Sequence, residues 1–213
     1  MELDLKFLDT TINEKDILLT LRFYLWDDYW ISVGYHQKKL PPHWIELSSK
    51  GRIKIVKRPS GGGAVLHSGG ITYALTYKKP YYKKFCYEKT NNWLIKSFAE
   101  LGVELKPGTI KRSSILENCF SSSFSSDLID KNGYKRVGSA QYWKKGSFLQ
   151  HGEIQLNPPS DLWFEIFKEN APPKMELNFS KIHLITFLKN SFLSYYPNLL
   201  VEKIYLNEEK INS

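Results

Sequence analysis

Three consecutive glycines within KRPSGGGAVLHSGG, residues 57–70, restrict this chain more than any other feature. Glycine gives up more conformational freedom on folding than any other residue, so a triple run belongs where the backbone is closely approached or turns left-handed. A basic pair, Lys57 and Arg58, enters the run, and the apolar Ala64, Val65 and Leu66 leave it. The run is not a P-loop, because no Gly-Lys-Ser/Thr follows and the spacing G-x-G-x-x-G is absent. Two readings stay open: a glycine-rich hairpin between strands, or a loop whose bare N–H groups close around an anion or a carbonyl. Ser60 and His67 add polar function beside the glycines, which weighs against a mere hairpin.

The flanking segments predict the fold class. LRFYLW (21–26), WISVGY (30–35), IKIVKR (53–58) and GITYALTY (70–77) are rich in β-branched and aromatic residues and read as strands, with Asp27-Asp28 as a turn between the first two. In KTNNWLIKSFAELG (89–102), Leu94, Phe98 and Leu101 recur at helical spacing and Gly102 supplies a stop. DLIDKNGYKRVGSAQYWKKGSFLQHGEIQL (127–156) predicts three antiparallel strands turning at Asn132-Gly133 and Lys145-Gly146. Two helices should follow, with Ser160 and Ser180 as N-caps. Strands, a helix, strands and then helices predict an α+β fold around a largely antiparallel or mixed sheet flanked by helices.

The length of 213 residues suits one domain, expected to span 1–213. No run reaches the about 18 apolar residues of a membrane span, and MELDLKFLDT lacks the apolar core of a signal peptide. Two cysteines, Cys86 and Cys119, do not make a disulfide framework and fit a reducing compartment, so a cytoplasmic location is expected. The net charge of +8 points to an acidic partner. YKKPYYKKF (77–85) interleaves lysines with aromatics in the manner of single-stranded nucleic-acid binders, but a solvated loop explains it equally well, and nucleic acid is not the expected partner.

The second informative stretch lies downstream. Lys135 precedes Gly138, Ser139 and Ala140, small residues that let another chain approach a strand closely, and Gln150-His151-Gly152 sits on the strand expected to pair with them. KRPSGGGAVLH followed by YKRVGSAQ and LQHGEIQL resembles the biotin/lipoate protein ligase family, which includes lipoate–protein ligase A and the octanoyltransferases of lipoate assembly. The resemblance covers roughly residues 20 to 157 and implies a single α+β domain like the catalytic core of biotin ligases and class II aminoacyl-tRNA synthetases. It also implies a substrate-binding set: Arg58, Ser60, Gly61, Gly62, Gly63 and His67 along the glycine loop, Gly138, Ser139 and His151 on the facing strands, and Trp26, with Tyr24, against the acyl group. Lys135 matches the family's essential lysine, whose ammonium would hold the oxygen that turns anionic during acyl transfer.

Within the family, ligases make an acyl-adenylate with ATP and Mg, whereas transferases take the acyl group from a carrier-protein thioester without a nucleotide cofactor. Cys119, in ENCFSSS, resembles the acyl-carrying cysteine of one octanoyltransferase subgroup, as do GSAQ and LQHG. No C-terminal accessory domain like that of bacterial lipoate ligases is expected, since 213 residues suit the catalytic domain alone. The expectation is a Cys119-dependent transferase with catalytic residues Lys135 and Cys119 and no metal. It would take octanoyl or lipoyl groups from an acyl carrier protein and attach them to a lysine of a lipoyl-domain protein. The alternative is an ATP-dependent ligase or a divergent inactive paralogue. Cys86 carries no motif and is expected to be structural, and His67 or His151 would move protons. Two departures stand out: Ser68 replaces the family's Asp after the motif histidine, and the N-terminal helix is expected to be absent or much reduced, DTTINEKDILLT being a poor substitute.

Overall fold

The computed structural model describes residues 1–80, 86–108 and 126–197. Cys119 and most of the serine-rich patch lie outside the described residues, as does the end of the lysine–aromatic stretch. The large sheet has six strands in the order β1 (Leu19–Tyr24), β5 (Ile71–Tyr77), β9 (Ser147–Ile154), β8 (Lys135–Lys144), β7 (Leu128–Asp130) and β6 (Leu105–Pro107), and every neighbouring pair is antiparallel. A second sheet has β2 (Trp30–Val33) between β3 (Lys54–Lys57), parallel to it, and β4 (Val65–His67), antiparallel. Parallel β2 and β3 need a crossover, which α2 (Pro42–Ser49) supplies.

The strands of 127–156 and their turns fall where the sequence predicts them. Gly133 and Gly146 take φ of +84° and +80°, the left-handed conformation that a tight turn demands. A register shift between Leu128 and Ile129 makes a bulge beside Lys135, pairing Leu128 with Val137 but Ile129 with Lys135. The segment Asp27–Asp28 does connect β1 to β2, but it joins two different sheets and not a hairpin.

Apolar periodicity places the helices. α3 (Cys86–Glu100) and α5 (Lys181–Tyr195) pack Trp93, Leu94, Phe98, Leu184, Leu188 and Phe192 against one face of the large sheet. Ser180 caps α5 by accepting a hydrogen bond from the His183 N–H at 3.2 Å. Ser160 does not cap α4 (Ser160–Phe167): Pro159 occupies the cap and Ser160 is already helical. α4 and α2 cover the small sheet through Leu162, Trp163, Ile166 and Trp44.

The expectation of a missing N-terminal helix is overturned. α1 (Glu2–Asn13) lies across β1, β5 and β9 and buries Leu8 against Ala74 and Leu149. The helix begins earlier than DTTINEKDILLT, and part of its docking face is polar, so its apolar stripe is interrupted. Asp4 and Thr11 are buried on that face, Thr11 hydrogen-bonding Thr76 at 2.5 Å. Truncating Leu8, which is wholly buried, removes the apolar centre of this contact. Leu8→Ala is expected to lower stability by about 2–5 kcal/mol, read as a reduced urea midpoint with an unchanged slope. A loss below about 1 kcal/mol would show that α1 is not docked as described.

Candidate active site

The glycine loop has a topological task before it has a chemical one. β3 and β4 are the two edges of the small sheet, so residues 58–64 must cross the end of β2 to connect them. The hairpin reading is thereby excluded, since β3 and β4 do not pair. The crossing is tight: a Cβ on Gly34, just past β2, would lie 1.9 Å from the Gly62 carbonyl oxygen. Gly62 itself has φ of +96°, a conformation that L side chains rarely adopt.

Arg58 holds the crossing from within. Its guanidinium is buried and donates through Nη1 to the Ser32 carbonyl at 2.8 Å and through Nη2 to the carbonyls of Gly61 at 2.9 Å and Gly63 at 2.5 Å. The planar fork of donors matches this set of acceptors as a lysine could not. The loop's carbonyls thus turn inward, and Gly61, Gly62 and Gly63 form one wall of a cavity of about 510 Å³. The facing wall comes from Gly138, Ser139, Ala140 and Gln141 of β8 and His151, Gly152 and Glu153 of β9. Small residues there are required by packing too: a Cβ on Gly152 would lie 2.7 Å from the Gly138 carbonyl oxygen.

His67 and His151 both line this cavity but stand in different surroundings. His67 has both ring nitrogens engaged: Nδ1 lies 2.8 Å from Glu153 Oε2, and Nε2 lies 2.7 Å from Ser32 Oγ. Thr72 donates to the same Glu153 oxygen, and Trp26 donates from Nε1 to Thr72 Oγ1 at 2.8 Å while stacking on the His67 ring at 4.4 Å. Trp26 therefore orients the histidine and is not itself a lining residue. Tyr24 stacks obliquely on Trp26 and donates to Asp4 Oδ2 at 3.1 Å.

His151 Nε2 lies 2.5 Å from Ser60 Oγ, while its Nδ1 is buried with no hydrogen-bond partner among the described residues. The Asp4 Oδ2 carboxylate oxygen lies 3.9 Å from it, beyond hydrogen-bond range. Burial pushes His151 below its ordinary pKa; Asp4 opposes that shift, and Arg58 and His67 reinforce it. Burial alone would raise Asp4, but His151 and Arg22, whose Nη1 is 2.6 Å from Oδ1, hold it below the ordinary carboxylate value.

Lys135 reaches the site through a carboxylate. Its Nζ lies 2.8 Å from Asp127 Oδ2, both side chains buried, and Asp127 lines the large cavity whereas Lys135 lines a second one of about 120 Å³. The other Asp127 oxygen accepts from the Ser139 N–H at 3.4 Å. Ser139 Oγ meets the Tyr73 hydroxyl at 2.7 Å, and Gln150 donates to that hydroxyl at 2.9 Å. Cys86, buried at the start of α3, has its thiol pushed up by burial and takes no part in the cavity wall. No group of three or more metal-ligating side chains occurs among the described residues, and no described helix is long and apolar enough to cross a membrane.

Sequence reasoning missed Asp4, Ser32, Thr72, Asp127 and Glu153. Glu153 carried a signal: a carboxylate in a strand whose eight residues are all buried needs a partner inside the protein. Asp4 carried none, because its burial depends on a helix that was not expected.

The chain belongs to the lipoyl protein ligase A/B catalytic domain family, whose model matches residues 1–181. It is 32% identical over 173 residues to octanoyltransferase LipM of Oceanobacillus iheyensis, covering 77% of this chain and 62% of that protein, so it spans less than two thirds of that relative's length. Two solved structures share the fold. Lipoate-protein ligase A bound with ATP has a TM-score of 0.73 at 19% identity, covering 91% of this chain and 78% of that one. A bi-partite lipoate protein ligase of Thermoplasma acidophilum, solved in a study of it and its E2 lipoyl domain, has a TM-score of 0.68 at 18% identity, covering 91% and 77%.

The depressed His151 pKa has a consequence for stability. As pH falls, the unfolded chain takes up this proton near the ordinary value of 6.5, before the folded protein does, so stability declines below that pH. Asp4 contributes in the same direction only below its ordinary value of 3.8. Between these limits His151→Gln is expected to flatten the decline in thermal midpoint with falling pH; parallel curves for variant and wild type would contradict the assignment.

Proposed function

We propose that this protein is an acyltransferase of lipoate metabolism that moves an octanoyl or lipoyl group onto a lysine of a lipoyl-domain protein by way of a Cys119 thioester. The observation that carries the reading is the cavity itself, with one wall of side-chain-free glycine loop and the other of β8 and β9, where Gly138, Ser139, Ala140 and Gly152 stand among Gln141, His151 and Glu153. A cavity with a wall of glycines leaves room for an acyl chain beside the loop, and its volume of about 510 Å³ falls in the usual range for a small-molecule site. The similarity to curated octanoyltransferases supports the acyl group and the reaction type.

In this reading the Cys119 thiolate attacks the carbonyl of the acyl-carrier thioester, the new thioester forms, and the carrier thiolate leaves. The amine of the acceptor lysine then attacks the enzyme-bound carbonyl; the carbon–sulfur bond breaks, an amide forms, and the proton lost by the amine restores the Cys119 thiol. Lys135 supplies positive charge to the developing oxyanion. Its ammonium is held by Asp127, which itself lines the cavity, so the pair carries the charge to the cavity wall. The formal charge of +8 favours encounter with an acidic acyl carrier protein as donor. No nucleotide or metal takes part in this sequence of steps, whereas ATP-dependent ligation with free lipoate is the competing chemistry.

Intact-mass measurement after incubation with octanoyl-carrier protein and no ATP separates the two. A mass increase of one octanoyl group is expected on the wild type and absent from Cys119→Ser; acyl transfer from free lipoate only when ATP and Mg are present would overturn the proposal. Lys135→Ala takes the ammonium away from the buried Asp127 carboxylate and is expected to lower stability by about 3–5 kcal/mol. Per folded molecule it is expected to lose about 3 kcal/mol of transition-state stabilisation, a rate loss of roughly 10²–10³-fold. Near-wild-type turnover in that variant would remove Lys135 from the chemistry.

A further inference from the structure

The residue that no motif pointed to, Asp4, stands behind His151, one of the two histidines expected to move protons. Asp4 is 1% exposed and comes from α1; His151 is 4% exposed and comes from β9; Ser60 is 1% exposed and opens the glycine loop. Three separate parts of the chain thus meet in one buried row: Asp4 Oδ2 at 3.9 Å from His151 Nδ1, and His151 Nε2 at 2.5 Å from Ser60 Oγ.

The row has a direction. A neutral imidazole carries its proton on one nitrogen and a lone pair on the other. With the proton on Nε2, the Nδ1 lone pair would face the Asp4 carboxylate in a buried setting, two electron-rich groups with nothing between them to donate. With the proton on Nδ1, the N–H dipole points at the carboxylate, and Nε2 accepts from the Ser60 hydroxyl. Asp4 stays ionised, because Arg22 donates to Oδ1 at 2.6 Å and Tyr24 to Oδ2 at 3.1 Å.

We infer that Asp4 is a positioning residue that fixes His151 as the Nδ1–H tautomer and through it turns the Ser60 hydroxyl toward Nε2 at the foot of the glycine loop. The α1 helix is on this account a working part of the site as well as a cover for the large sheet. His67 cannot play the same part, since Glu153 and Ser32 already engage both its nitrogens. The catalytic consequence rests on the acyl-transfer reading above, whereas the tautomer is a property of the free protein and can be read without substrate.

The charged and titratable groups facing this row are Asp4, Arg22, Tyr24 and the Met1 amino group on the α1 side and Arg58 and His67 on the loop side. Replacing Asp4 by a neutral isostere removes the contribution that raises the His151 pKa and leaves burial, Arg58 and His67, which all lower it.

The test is the ring ¹⁵N spectrum of histidine-labelled protein at neutral pH, with His151 assigned by His151→Gln. The wild type is expected to show a protonated Nδ1 and an unprotonated Nε2, and Ser60→Ala to keep that pattern. Asp4→Asn is expected to bring in the Nε2–H tautomer and to move the His151 titration to lower pH. In acyl transfer, Asp4→Asn should lower kcat by roughly tenfold or more with little change in KM, and shift the acid limb of the pH profile downward with the histidine. A purely structural Asp4 would lower the thermal midpoint and leave the tautomer and the acid limb in place, which overturns the inference. An Nε2–H tautomer in the wild type overturns it without any variant, so the test survives an Asp4→Asn protein that does not fold. If the tautomer responds to Asp4 but no donor supports acyl transfer, the coupling stands and the acyl-transfer reading falls. If the enzyme is active but the tautomer does not respond, the coupling falls and the acyl-transfer reading stands.

Discussion

The buried guanidinium of Arg58 is the interaction on which the remainder of the site depends. A loop of seven residues, 58–64, must pass from one edge of the small sheet to the other across the end of β2, and glycine lets it lie against Gly34 with no side chain between. Glycine, however, offers nothing to hold such a path. Arg58 supplies what the glycines lack, gathering carbonyls from Ser32, Gly61 and Gly63 onto one rigid fork. Unpaired backbone carbonyls in a buried loop would each cost about 1–3 kcal/mol, so the arginine makes the crossing stable as well as fixed. Its lateral contact with Ser32 Oγ at 3.2 Å then passes the constraint to His67, and from His67 to Glu153 across the gap between the two sheets.

β9 is the counterpart of that clamp. Its partners β5 and β8 lie on either side, and helices or the small sheet cover both faces, so every one of its residues is buried. A central strand in such a place is ordinarily apolar on both faces. Here Gln150, His151, Glu153 and, just beyond, Gln155 are buried as well, and their polar atoms are largely met by Tyr73, Gln141, Ser60, His67, Thr72 and the Leu66 carbonyl. An interior polar network of this kind is costly when any member is left unpaired, and the atoms still unpaired are therefore informative. His151 Nδ1 is one of them.

How much of this could be read from the sequence divides along a physical line. The strand block 127–156, its two turns, α3 and the Ser180 cap were legible because each is decided locally, by alternation, by a residue that tolerates positive φ, or by a capping hydroxyl. The glycine run announced a close approach, and the family resemblance supplied Arg58, Ser60, His67, Gly138, Ser139 and His151 as a set that the fold brings into one region. What the run approaches first is the chain's own Gly34, which no local pattern can disclose. α1 was lost because Asp4 and Thr11 sit on its buried face beside Leu8, so the apolar stripe looks broken in one dimension. The ion pair of Lys135 with Asp127 was hidden for a similar reason: a lysine reads as solvated until the bulge in β8 and the burial around it are known.

The two histidines show how one fold separates roles that the sequence could only pair. Both are buried, both lie on the cavity, and both have a carboxylate nearby. His67 is 2.8 Å from its carboxylate and hydrogen-bonded at its other nitrogen, so any rotation or new contact breaks an existing bond. His151 is 3.9 Å from its carboxylate, close enough for charge to set which nitrogen carries the proton without a direct bond pinning the ring. The first arrangement suits a strut between sheets, and the second suits a group that must change its hydrogen-bonding during a reaction cycle. The difference of about 1 Å is set by where α1 docks, since Asp4 is carried on that helix while His151 is fixed in the central strand. The packing of Leu8 on Ala74 and Leu149 is therefore not remote from the site's electrostatics; it sets the distance at which the carboxylate acts.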